Sequence, residues 1–145
     1  MIFFSGITAD DVDKVWSIVK PMVAAALVHE SNFCTDEDIY NSVRARKMQL
    51  WVAADDGNIV ACMVSEIVEY PRTKVAHIVV LGGDSIASWI SARDQWELFE
   101  LWAGRMGCKY IEAHARPGIG KLTKEIGLFK HGEIIRKELF PNTLQ

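Results

Sequence analysis

Apolar positions along the chain change period several times, and each change marks an element. Residues 2–7 are a short apolar run, which predicts a first strand. Thr8 followed by Asp11 is a variant of the capping box and predicts the start of a helix. Val12, Val15, Trp16, Val19, Met22, Val23, Ala26 and Leu27 then recur at helical spacing and define one buried face. Pro21 removes a backbone donor within that run, which predicts a kink, or a break with Pro21 opening a second helix. Residues 29–34 are polar and irregular, and Thr35 with Asp38 caps a further helix expected to reach about Lys47.

From Leu50 the pattern is that of strands. Two apolar runs, residues 50–54 and 59–64, flank an Asp56-Gly57 pair, a strong hairpin signal. The second run extends to Tyr70, residues 71–73 make a turn, and residues 74–81 predict a third consecutive strand. Gly82 and Gly83 read as a tight turn after it. A helical pattern then covers residues 85–106, with Trp89, Ala92, Trp96, Phe99, Ala103 and Met106 on one stripe and Gly107 as its stop. Trp102 falls off the stripe and, with Leu98 and Leu101, predicts an outward patch suited to a second copy or another partner. Residues 109–115 predict a strand, residues 121–126 a short helix stopped by Gly127, and residues 128–139 one or two closing strands around Gly132. This order predicts one α+β domain over residues 1–145, a mixed, mostly antiparallel central sheet flanked by helices.

Composition narrows the function classes. A formal net charge of −3 argues against nucleic-acid binding through the overall field. Three cysteines without a C-x-x-C pair suit free thiols in a reducing compartment. No apolar stretch is long enough to span a membrane, and the first residues lack a signal peptide's features. The expectation is a cytoplasmic protein, or one packaged in a particle assembled there, acting on neither membrane nor nucleic acid.

Candidate chemistry is spread along the strands. The Gly82-Gly83 junction, read as a strand running into a helix N-terminus, offers free backbone N–H groups and the positive end of a helix dipole to an anion. Asp84 or Ser85 also reads as an N-cap, which would itself occupy those groups, and the carboxylate of Asp84 repels an anion. His77 has the residue type for a general base near neutrality, and alternation places it on one face with Val75, Val79 and Leu81. Glu66 is a second candidate base; Glu69 is out of phase with it. Glu112 and His114 share a face by their i, i+2 spacing, an arrangement in which a carboxylate tunes an imidazole. Four scattered histidines and three separated cysteines show no metal-ligand spacing.

The element order resembles that of the GNAT superfamily of N-acetyltransferases over nearly the whole chain, with residues 121–139 resembling the family's last helix, glycine and final hairpin. The resemblance implies acetyl-CoA as cofactor and an amine acceptor. It implies a bulged fourth strand that splays from the fifth, its backbone at Val79, Val80 and Leu81 holding the pantetheine. The loop Gly82, Gly83, Asp84 and Ser85 would then hold the pyrophosphate. The family's loop reads Q/R-x-x-G-x-G/A; here it is shorter, lacks the basic residue and carries Asp84, so Arg116, with Lys121 and Lys124, stands as the replacement phosphate contact. The tyrosine that often protonates the leaving thiolate is replaced by Thr123. His77, Glu66, Glu112 and Thr123 are thus the catalytic candidates. These departures resemble divergent acetyltransferase-like proteins of bacteriophages, some of them virion-associated. The alternative to an enzyme is therefore a structural or interaction protein of the same fold that has lost the cofactor.

Overall fold

A computed structural model describes residues 2–28, 33–83, 93–114, 124 and 126–139. Its framework is one sheet in sequential strand order, β1 (Ile2–Ile7), β2 (Gln49–Asp55), β3 (Asn58–Glu69), β4 (Lys74–Gly83) and β5 (Cys108–Ala113). Neighbours are antiparallel from β1 to β4, and β5 runs parallel to β4. Helices α1 (Val12–Leu27) and α2 (Asp36–Arg44) cover one face, and α3 (Trp96–Arg105) covers the other. This is the predicted fold class.

Local chemistry explains most element ends. The β2–β3 hairpin turns on Asp56 and Gly57, whose φ values of 50° and 84° are both positive, as a type I′ turn requires. At α2 the Thr35 hydroxyl accepts from the Asp38 N–H at 3.2 Å while the Asp38 carboxylate accepts from the Thr35 N–H at 2.9 Å, a complete capping box. The Thr8 signal works differently from expectation. It opens a 3-10 turn, Ala9–Asp11, with the Asp11 N–H donating to the Thr8 carbonyl at 2.9 Å, and α1 begins only at Val12. Helix α1 then continues through Pro21, because the face beyond the proline is held by the burial of Val23 and Ala26, so the expected break does not occur. Gly107, at φ 87°, ends α3 with its N–H on the Gly104 carbonyl at 3.0 Å.

Two cores lie back to back across the sheet. Val12, Val19, Val23, Ile39 and Val43 pack onto Leu50, Val52, Cys62, Val64 and Val80. On the other face Trp96, Phe99 and Ala103 pack onto Phe4, Trp51, Ala53, Met63, Ala76 and Ile78. Trp51 is the hub of that second core: it stacks on Phe4 at 5.5 Å between ring centroids and meets Phe99 and Trp102 edge-on at 5.2 and 5.1 Å. Its indole N–H donates to the buried Ser65 hydroxyl at 3.0 Å, which in turn donates to Gln49 at 2.9 Å. Gln95 bonds the N–H of Phe4 and the carbonyl of Ile2, covering part of the β1 edge.

Three further expectations are corrected. Trp102 packs against the aromatic core rather than outward, whereas Met106 is exposed; Leu98 and Leu101 are exposed as expected. Residues 128–139 form no strand among the described residues. Leu128 packs against the α3-side core, and Phe129, Ile134, Ile135 and Leu139 are exposed. Finally, β4 does not stop at Leu81 but runs through both glycines, so Gly82-Gly83 is the end of a strand and not a turn. The first part of the helix predicted over residues 85–106, up to residue 92, and most of the helix predicted over residues 121–126 lie outside the described residues.

Candidate functional site

The register of the three central strands decides which candidates meet. β3 pairs with β4 so that Glu66 lies opposite His77, and β4 pairs with β5 so that His77 lies opposite Glu112. Directly paired residues present their side chains on the same face of a sheet. Glu66, His77 and Glu112 therefore form one row across three strands. Glu66 and His77 are half-buried, and Glu112 is exposed. His114, two residues beyond Glu112 on the same face, adds a fourth member: its ring lies 5.0 Å from the His77 ring, centroid to centroid, at 65°. Glu and His are residue types that take and give protons near neutrality, which suits the row to acid–base chemistry.

One position past the row the sheet changes character. Val64 pairs with Val80 and Ser65 with Ile78, which leaves Val79 as an extra residue in β4, a β-bulge. The side-chain alternation changes phase there. Ala76 and Ile78 belong to the α3-side core, whereas Val80 belongs to the α1–α2 side and Leu81 packs back against the α3 side. The expected common face of Val75, His77, Val79 and Leu81 is thus broken, with His77 and Leu81 on opposite faces. The pairing with β5 also ends there, its last pair being Ile78 with Ala113, while β4 continues to Gly83. Val79, Val80 and Leu81 thus lie beyond the last β4–β5 pair among the described residues.

Both glycines of the strand end answer to packing. A Cβ on Gly82 would stand 2.7 Å from the Met22 carbonyl oxygen, so α1 rests its backbone directly on this residue. Gly83 has φ 155°, and a Cβ there would stand 2.7 Å from the Ala61 Cβ. Beneath α1, opposite Gly82, the Cys62 thiol is pushed from its ordinary 9.0 up to about 12 by burial, partly offset by a backbone hydrogen bond from Gly82. That thiol is inert at neutral pH.

Of the residues singled out in the sequence, the structure brings together Glu66, His77 and Glu112, and sets Val79, Val80, Leu81, Gly82 and Gly83 just beyond them on β4. Asp84, Ser85, Arg116 and Thr123 lie outside the described residues. Lys124 lies within them and is exposed. The neighbourhood of His77 and His114 is not readable from spacing, because it depends on the inter-strand register; the i, i+2 relation of Glu112 and His114 is its only sequence trace. A cleft of about 390 Å³ also opens on the other side of the sheet, lined by Trp96, Glu100, Tyr110 and residues 126–129 among others. None of the predicted site residues lines it.

No protein-family model matches the chain, and no curated protein does. Solved structures do match in fold. An aminoglycoside acetyltransferase from an uncultured soil metagenomic sample, in complex with sisomicin, superposes with a TM-score of 0.69 at 13% identity, covering 95% of each chain. A predicted acetyltransferase with acetyl-CoA from Clostridium acetobutylicum gives 0.68 at 17% identity, covering 99% of each chain. Glucosamine-6-phosphate N-acetyltransferase from Arabidopsis thaliana gives 0.65 at 16% identity, covering 97% of this chain and 99% of that one. Likeness over nearly the whole of both chains, at identities this low, establishes the fold: this chain has the architecture of the GNAT acetyltransferases.

Proposed function

We propose that this protein is an acetyl-CoA-dependent N-acetyltransferase that works at the parting of β4 from β5. The observation that carries the reading is the coincidence of three features within an acetyltransferase fold: the bulge at Val79, the end of β5 pairing at Ile78, and the acid–base row immediately before it. The stretch of β4 at Val79, Val80 and Leu81, past the last β5 pair, fits an extended, amide-bearing arm, since a sheet edge bonds such a chain by its main-chain N–H and C=O groups. Val79, Val80 and Leu81 would hold that arm, and the slim strand end at Gly82 and Gly83 follows them. When bound, acetyl-CoA supplies an activated acetyl thioester. The acetyl-CoA in the Clostridium structure of the same fold supports this choice of donor.

The chain's own residues then do three things. Backbone N–H groups near the bulge are donors for a carbonyl oxygen that gains negative charge. Glu66 and Glu112, on either side of His77, attract an ammonium group and favour its approach to the imidazole. His77 takes a proton from that ammonium, leaving a neutral amine able to attack. Glu66 is the second candidate for this step. The acid for the leaving thiolate falls to the region of Thr123, as the family resemblance implies.

The test is acetyl transfer itself. Purified protein with acetyl-CoA and a panel of amines, from polyamines and aminoglycosides to protein N-termini, is expected to release free thiol above the hydrolytic background with at least one acceptor. No release across the panel, together with no binding of acetyl-CoA, contradicts the proposal and leaves a non-catalytic protein of the same fold.

A further inference from the structure

Nothing in the acetyl-transfer reading requires His114, yet its ring packs on that of His77. The contact joins two strands, β4 and the end of β5, just where those strands part. His77 is half-buried within the row, and His114 is exposed. Among the described residues, Glu66 from β3 and Glu112 from β5 are in register with His77, His114 packs on its ring, and the α1 side chains in the core on this face, such as Met22 and Val23, are apolar. Among the described residues His114 is an imidazole packed on His77, and it is exposed.

We propose that His77 and His114 act as one proton-handling pair, in which His77 takes the proton from the acceptor ammonium and His114, as its positioning and relay partner, delivers it to solvent. The inference rests on the acetyl-transfer reading of the same site and adds the route by which the proton leaves. The balance is closed. Of the three protons on an alkylammonium, one stays on the product amide, one ends on the released thiol, and one must be discharged. That third proton passes from the amine nitrogen to a ring nitrogen of His77. It moves on to a ring nitrogen of His114, directly or through a water, and then to bulk water, and both rings return to the neutral form.

Two measurements test the pair, and they fail independently of each other. In the first, the His77 Cε1–H resonance is followed against pH by NMR in the wild type and in His114→Phe, which keeps an aromatic ring against His77 but cannot carry a proton. The wild-type resonance is expected to follow two protonation events and the variant's one. Single-step curves of the same midpoint in both proteins overturn the pairing. In the second, His114→Phe is expected to lower kcat about tenfold or more, with KM for acetyl-CoA within about twofold, and added imidazole to restore most of the lost rate in His114→Ala. An unchanged kcat overturns the relay. Absence of transfer by the wild type overturns the enzyme reading alone, and the NMR comparison, which needs no acetyl donor, then decides the pair by itself.

Discussion

At the scale of single residues, the candidate site is a matter of which side chains face which. Glu66, His77 and Glu112 were legible one at a time, as ionisable residues in otherwise apolar strands. That they form a row was not, because a row is a statement about register, and a slip of one residue in either pairing would turn one member to the other face. Replacing His77 by Gln keeps the size and a hydrogen-bonding group and removes the base. On the account given, kcat falls by about a hundredfold or more with KM little changed, the range expected for a lost general base; equal loss in a Glu66→Gln variant alone would move the assignment to Glu66. Gly82 is a different kind of residue. The sequence presents it as part of an anion-binding turn, while the structure has it carrying α1. Gly82→Ala pushes a methyl group to 2.7 Å from the Met22 backbone oxygen, which cannot swing aside as a side-chain tip would. An overpacking cost of about 1–3 kcal/mol is expected, read as a lower urea midpoint at unchanged slope.

Elements were legible where a local signal sets them. The Asp56-Gly57 turn and the Thr35–Asp38 box are determined by residues within four positions of one another, and both appear as read. Thr35→Ala is expected to cost α2 about 1 kcal/mol in thermal or urea unfolding, the usual value of a lost N-cap. Elements that depend on a distant partner were read less well. Residues 128–139 carry enough Phe, Ile and Leu to suggest strands, but Ile134 and Ile135 are adjacent, which breaks the alternation a half-buried strand needs. A strand also has to pair, and no described neighbour pairs with these residues. The bulge at Val79 belongs to the same category: nothing in an Ile-Val-Val-Leu run marks the extra residue, which is defined only against β3. The family resemblance supplied the expectation of a bulge in the fourth strand, and the register supplied the residue.

At the scale of the whole molecule, the order of strands and helices was visible in the changes of hydrophobic period, and the architecture followed from it. Activity was less visible because Asp84, Ser85, Arg116 and Thr123 depart from the family's pattern, and the structure leaves those positions undescribed. The buried thiol gives the fold a pH dependence of known sign. Cys62 has its folded pKa raised to about 12 by burial, so the unfolded chain ionises first as pH rises. Its contribution is intact below the ordinary thiol range and is lost between about pH 9 and 12, a change on the order of a few kcal/mol. Urea unfolding of wild type and Cys62→Ala across that range is expected to show the steeper alkaline decline in the wild type. Parallel declines would mean that the thiol contributes nothing.

On the proposed function, β4 beyond the Val79 bulge holds the acyl donor. Thermal unfolding in rising acetyl-CoA tests it most directly, with a Val79 deletion, which removes the bulge, as the comparison. Ligand at about a hundred times Kd adds roughly 2.7 kcal/mol to the folded state, worth about 5 °C or more in the Tm of a chain this size. That rise is expected in the wild type, and its loss in a deletion variant that still melts cooperatively. An unmoved Tm in the wild type at millimolar acetyl-CoA, or an equal rise in both proteins, would contradict it.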